Sequence, residues 1–178
     1  MLNSSMLNSI ATQLHNLAAG VQEATIDESY QVSIPFSAIH NDNRATLLEK
    51  LKSLSAPKGR YIYQFTVEQT LSETLHQAFK AAKSAGRNDR AYCRVNAASA
   101  LLYVGSSTDL HSRIKQHLGF GNKGTYAMQL CHWLPELEGA LNIQAWRFAQ
   151  NVDNSVIQAI EDGLWALNGP MFGRQGAR

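Results

Sequence analysis

A carboxylate on an apolar helix stripe is the first candidate for chemistry in this sequence. Plotted at ~100° per residue, residues 156–167 read as a helix whose buried side carries Ile157, Ile160 and Leu164, with Glu161 inside that stripe. A carboxylate there is costly unless it is protonated, paired or bound to a cation. A core Glu satisfied by a nearby Arg or Tyr and a metal-binding Glu both fit, while Asp162 points elsewhere as a surface charge. Arg113 and His117 stand i, i+4, on one side of a helix that begins near Thr108, at the edge of its Leu110, Ile114, Leu118 stripe. Arginine suits phosphate because its planar fork donates two parallel charge-assisted hydrogen bonds. A surface Arg-His edge without function is the plainer alternative. Tyr61, Tyr63 and Tyr103 lie in strand-like runs, where tyrosines ordinarily pack with the hydroxyl tipped toward water and are catalytic only in the minority.

The elements that must position these groups follow from periodicity and punctuation. Met6, Leu7, Ile10, Leu14 and Leu17 predict an amphipathic helix over residues 4–19, ended by Gly20. Residues 30–34 alternate as a short strand before Pro35, and Asn41-Asp42-Asn43 makes a turn into a helix over about 44–54, with a break at Ala56-Pro57-Lys58-Gly59. The dense β-formers of 60–67 predict a central strand. Leu71 to Ser84 reads as a helix and 84–89 as a polar loop, with Tyr92 to Val95 a candidate strand. Ala100 to Val104 is a strand, Gly105 to Asp109 turns into the next helix with Ser107 or Thr108 as N-cap, and Gly119 ends that helix. Residues 126–133 predict a helix, 141–148 a strand and 156–167 the last helix, capped by Asp153 or Asn154 and stopped at Gly169-Pro170; a glycine-rich tail over 173–178 is expected to be loosely held.

Taken together, Gly59-Arg60-Tyr61-Ile62-Tyr63, then Tyr103-Val104-Gly105, then Arg113 on a helix and Glu161 on a later one, resemble the motifs of the GIY-YIG nuclease family. Ile62-Tyr63 matches its first motif and Tyr103-Val104-Gly105 its second, with Val for Ile, and the Arg113-xxx-His117 spacing is similar to its restriction-endonuclease-like members. The resemblance spans about residues 59–176 and is silent on 1–57. It implies an α/β (α+β) fold: a small mixed, mostly antiparallel sheet flanked by helices. Residues 1–57 would be an N-terminal helical extension packed on a nuclease domain of 58–178, which carries an inserted helix near 68–86.

The implied activity is that of a metal-dependent endonuclease hydrolysing DNA phosphodiesters. Its catalytic residues would be Tyr63, Tyr103, Arg113, His117 and Glu161, with Glu161 holding Mg²⁺ or, alternatively, Mn²⁺. Tyr61, Lys115, Lys123 and Arg174 are candidates for nucleic-acid contact, as is Arg147, each having a solvated-charge or packing reading beside it. The sequence departs from the family pattern in three respects. The motif tyrosines stand 40 residues apart (63 to 103), the first-motif Gly is displaced to Gly59, and Gly173 occupies the place where family members often carry an Asn beyond a Pro. Either Asn168 substitutes for that Asn or its role is absent. A catalytically weak or inactive nucleic-acid-binding module of the same fold is therefore the alternative, and an interaction protein working through its N-terminal helices a third.

Composition bounds the partners. The 178 residues, 44% apolar and 17% charged, are ordinary for a globular domain. No apolar run is long enough to span a membrane and no secretory leader pattern is present, so a cytoplasmic protein without a membrane partner is expected. Cys93 and Cys131 form no CxxC pair, and Cys131-His132 has no second ligand pair at zinc spacing. P-loop and dinucleotide-binding motifs are missing. Net charge is +2, all of it arising after Gly86, where nine basic residues meet seven acidic ones, a weak pointer to a polyanion. Double-stranded DNA is the expected partner, and a homodimer would let one complex cut both strands.

Overall fold

The computed structural model describes residues 2–40, 44–52 and 59–176. The turn expected at 41–43 and most of the break at 56–59 lie outside them. Among the described residues, four strands form one sheet: β1 (Ile26–Pro35), β2 (Arg60–Thr66), β3 (Leu101–Ser107) and β4 (Ala140–Phe148), in the order β1-β4-β2-β3. All three pairings are antiparallel, the limiting case of the mostly antiparallel sheet expected. The helices are α1 (Ser4–Glu23), α2 (Phe36–Ile39), α3 (Arg44–Leu51), α4 (Ser72–Ser84), α5 (Leu110–Leu118) and α6 (Asn154–Asn168). No helix among the described residues is long and apolar enough to cross a membrane.

Strand alternation divides the core. Tyr61, Tyr63 and Phe65 of β2 pair with Arg147, Ala145 and Ile143 of β4, and Tyr63 and Phe65 pair with Gly105 and Tyr103 of β3, so all share one face. The larger hydrophobic cluster lies on that face and includes Phe79 of α4, Ile114 of α5, Trp133 and Phe172. Ile62 and Phe148 face the other way, into a smaller cluster with Val156 and Ile157 of α6 and, on its flank, Leu17 of α1. The N-terminal segment is more than a packed-on extension, because β1 pairs along the whole of β4 and becomes a sheet edge.

Several local expectations change for identifiable reasons. Gly20 does not stop α1, which is N-capped by Asn3 and runs on to Glu23. A Cβ at Gly20 would lie 2.7 Å from Val156 Cγ2, so this glycine serves the close approach of α1 to α6. The N-cap of α5 is Asp109, whose carboxylate accepts from Ser112 N at 2.9 Å, while Ser107 Oγ bonds Asp109 N in the preceding turn. Residues 126–133 form only one short 3₁₀ turn, Leu130–His132. The carbonyls of Lys123 and Ala127 accept from Ala91 N and Cys93 N, and Gln129 takes a left-handed φ of 59°, both incompatible with a continuous helix there. Tyr92 and Val95 make isolated bridges rather than a strand. The described part of the tail is tied down as far as residue 176, because Asp162, half-buried rather than free, accepts from Gly176 N at 2.8 Å.

The helix α4, expected as an insertion, belongs to the core. Phe79 is fully buried, with ring centroids 4.2 Å from Phe172, 5.2 Å from Trp133 and 5.6 Å from Tyr92. Phe79→Ala is expected to lower unfolding free energy by about 3–5 kcal/mol, whereas Met6→Ala on the exposed side of α1 should change it by less than about 0.5 kcal/mol. Urea denaturation of the two variants checks this, and an effect of Phe79→Ala as small as that of Met6→Ala would show α4 to be a detachable appendage.

Candidate active site

Tyr63 and Tyr103 come from neighbouring central and edge strands, and their rings stack at 6.2 Å with 8° between planes. The arrangement depends on Gly105, opposite Tyr63 in the register. A Cβ there would lie 2.6 Å from Tyr63 Oη and 2.8 Å from Tyr103 Cε1, so only glycine leaves room for both rings. Arg113, on the helix that follows β3, bridges the two phenols: Nε donates to Tyr63 Oη at 3.2 Å and Nη2 to Tyr103 Oη at 3.4 Å. Gln116 holds the third arm, its Oε1 accepting from Nη1 at 2.7 Å.

His117, one turn after Arg113, is wholly buried between the rings of Tyr63, Tyr103 and Phe65. Met128 N points at its Nδ1 from 3.4 Å, which makes Nδ1 the acceptor. Nε2 then carries the proton and donates to Tyr63 Oη at 3.2 Å. Burial, reinforced by the Arg113 charge, holds the His117 imidazole well below its ordinary range, so it is neutral. Tyr63 Oη thus accepts from two N–H groups. Burial nevertheless pushes the Tyr63 phenol up, with Tyr103 adding to the shift and Arg113 opposing it. The Tyr103 phenol is also raised by burial against the pull of Arg113.

Glu161 arrives from the opposite side of the sheet. Ser106 pairs with Ile62 and shares the α6 face, and the Ser106 hydroxyl hydrogen-bonds the Glu161 carboxylate. The carboxylate is buried but not isolated: its charge acts on Arg113, Tyr63 and Tyr103 alike. Desolvation raises its affinity for a proton, partly offset by Ser106, while Asp162 adds to the rise and Arg113 works against it. β3 is an edge strand, so Tyr103 and Ser106 stand on opposite faces of the sheet at its border. Among the described residues no three His, Cys, Asp or Glu side chains are grouped to share a metal ion. Glu161 with the Ser106 hydroxyl is nonetheless a hard-oxygen pair suited to a divalent cation that draws its remaining ligands from water and substrate.

Tyr63, Tyr103, Arg113 and His117 are therefore in mutual contact, Glu161 stands on the other face of the sheet and acts on them through its charge, and the peripheral candidates separate. Tyr61 is 1% exposed and lies against Tyr30, its phenol raised by burial against the pull of Arg147, so burial removes it from the expected nucleic-acid surface. Arg147 is paired with Glu28 at 3.3 Å. Lys123 is exposed but paired with Asp89 at 2.5 Å. Lys115 is half-buried on α5. Arg174 lines a pocket of about 620 Å³ beside Tyr103 and Arg113. His132 uses both ring nitrogens, with Asn88 and with Gly119 O, and the Cys93 thiol is pushed up to about 12 by burial.

Gly173 has a physical reason to be glycine. Its φ is 94°, and a Cβ would lie 2.9 Å from Tyr103 Cε2. Asn168 does not take over there, since its amide caps Leu164 O at 2.8 Å on the outside of α6. Asn96, which sequence reading passed over, clamps this turn instead by donating to Pro170 O and Gly173 O. Ser106 and Gln116 were also missed, because small polar residues at a strand end or on a helix carry no signal until their partners are in place.

Comparison with family models, with curated proteins and with solved structures returns no match to this chain.

The Glu161 carboxylate generates a pH signature. Its folded-state proton affinity is raised, so its contribution to stability is complete below the ordinary carboxylate range and is lost as pH rises through the raised value. Glu161→Gln is expected to gain stability relative to the parent protein as pH rises through that window, with the difference constant in stronger acid. Thermal or urea unfolding across pH 3–8 measures it, and a difference of the opposite slope would mean that the carboxylate is held ionised by a partner.

Proposed function

We propose that this protein is a metal-dependent endonuclease that hydrolyses DNA phosphodiesters with a GIY-YIG-like site. The observation that carries the reading is the convergence of two strand tyrosines on one guanidinium, with a lone carboxylate in electrostatic reach. Arg113 is the permanent cation and would stabilise charge on the phosphate as it builds in the transition state. Glu161 and Ser106 would hold Mg²⁺, or Mn²⁺ in its place, which when bound supplies a Lewis acid for the scissile phosphate and the leaving 3′ oxygen.

Burial keeps the Tyr63 proton on its oxygen at neutral pH in the protein alone. Two N–H donors, from Arg113 and His117, favour its phenolate once further positive charge is near. Tyr63 is then the group to take a proton from the attacking water, and Tyr103 the group to hydrogen-bond the phosphate. Neutral His117 orients Tyr63 and is a positioning residue. The catalytically weak binding module is the second reading, favoured by the strongly raised Tyr63 phenol and by Gly173 at the position of the family Asn. A cytoplasmic location fits the nuclease reading.

Supercoiled plasmid with Mg²⁺ tests the proposal. Cleavage is expected, abolished by chelator and by Glu161→Ala, and slowed about 10²–10³-fold by Arg113→Ala and about 10²–10⁴-fold by Tyr63→Phe. Binding without cleavage would favour the second reading, and equal cleavage by the parent protein and Glu161→Ala would remove the site from the chemistry.

Cutting both strands in one complex points to a homodimer. Met6, Leu7, Ile10 and Leu14 leave an apolar stripe on α1 that is 45–61% exposed. Residues 2–22 carry no Asp, Glu, Lys or Arg, so the helix neither repels a second copy nor attracts a charged partner. Light scattering is expected to give twice the 19.7 kDa chain mass, reverting to one chain in Leu7→Glu/Ile10→Glu, and a parent protein already at one chain mass excludes the dimer.

A further inference from the structure

The pocket beside the two tyrosines has a charge the whole chain conceals. Its lining contains Lys83, Arg94, Arg113 and Arg174, and no Asp or Glu. None of these four forms an ion pair with a carboxylate among the described residues. Lys83 is anchored by donating to Cys93 O at 2.7 Å, and Arg94 carries its guanidinium from an exposed position whose own carbonyl accepts from Gly173 N at 2.9 Å. The pocket floor is thus stitched to the turn on which Tyr103 rests. Four uncompensated cations in a chain of net charge +2 make a local field directed at an anion.

Two of the four, Lys83 and Arg94, belong to the segment inserted between β2 and β3. The volume, about 620 Å³, exceeds what one phosphate fills and lies within the range of small-molecule sites. Tyr126, 71% exposed at the rim, and Tyr103 add aromatic faces that suit a nucleotide better than a free inorganic anion.

We propose that this pocket is the subsite for the nucleotide neighbouring the scissile phosphate, with Lys83, Arg94 and Arg174 holding its phosphate and Arg113 shared with the reacting one. The inserted segment is then a substrate-binding element. The proposal rests on the nuclease reading and assigns that site a second phosphate.

Fluorescence anisotropy of a labelled 20-bp duplex tests it on the 178-residue chain, with Glu161→Ala as background to prevent cutting. In that background Arg94→Ala and Lys83→Ala are each expected to weaken binding about eight-fold at 0.1 M salt and to reduce the slope of log K against log salt by about 0.9. Arg94→Lys should restore most of the slope. Lys52→Ala, removing the partner of Glu49 on α3, should leave the slope unchanged. With Glu161 present and Mg²⁺ added, Arg94→Ala should raise KM while kcat holds, because it contacts a phosphate that does not react. Unchanged slopes for both pocket variants, with duplex still bound, would overturn the subsite and leave the nuclease reading standing. A chain that binds no duplex at all would overturn both.

Discussion

The Arg113 guanidinium is the one permanent charge around which the site is arranged. It spans the hydroxyls of Tyr63 on a central strand and Tyr103 on the edge strand, and so locks α5 against the sheet. That geometry needs a backbone without a side chain at Gly105, because the two stacked rings occupy the volume a Cβ would take. It also needs the site to sit at a sheet edge. Tyr63 and Tyr103 lie on one face and the Ser106–Glu161 pair on the other, so a phosphate bound by both sets, as proposed above, would have to reach them around β3.

Burial sets the electrical state of this assembly. It raises Tyr63 and Glu161 toward their protonated forms and drives His117 toward its neutral one. The groups around Arg113 are therefore closer to neutral than their types suggest, and the net field is positive on the open side, where Arg94, Lys83 and Arg174 stand without carboxylates. The nuclease proposed above would use such a site to receive a polyanion and, at Glu161, a cation that relieves the cost of an ionised, desolvated carboxylate. The same burial that makes Tyr63 a poor base in isolation excludes the water that would weaken its hydrogen bonds to Arg113 and His117.

Segments that looked peripheral turn out to hold the centre. Phe79 of the inserted helix packs on Phe172, and the adjoining residues 171 and 172 donate to the carbonyls of Leu101 and Leu102, covering the first half of the edge strand. The chain then turns at Gly173, where a left-handed φ and the Tyr103 ring together exclude any side chain. The place of an expected asparagine is thus taken by a backbone requirement, and Asn96, from the inserted segment, fastens the turn.

Periodicity made most of the elements legible, because apolar spacing follows from helix and strand geometry alone: β2, β4, α5 and α6 fall within two residues of where alternation and stripe place them. The four side chains that the fold brings into contact, Tyr63, Tyr103, Arg113 and His117, were legible too, as residue types at characteristic positions. Local patterns failed where tertiary contacts compete with them. Residues 126–133 surrender their helix to bridges with 91–93, and Gly20 is spent on α1–α6 contact instead of a cap. The sequence by itself determined which side chains were available and which faces they take along each strand and helix, since both depend on near neighbours. Only the tertiary structure decided that Tyr61 is sealed away, that Ser106 meets Glu161 and that Lys83 and Arg94 open beside Arg113, because those pairings join residues far apart in the chain whose approach depends on how the sheet closes and what covers its edge.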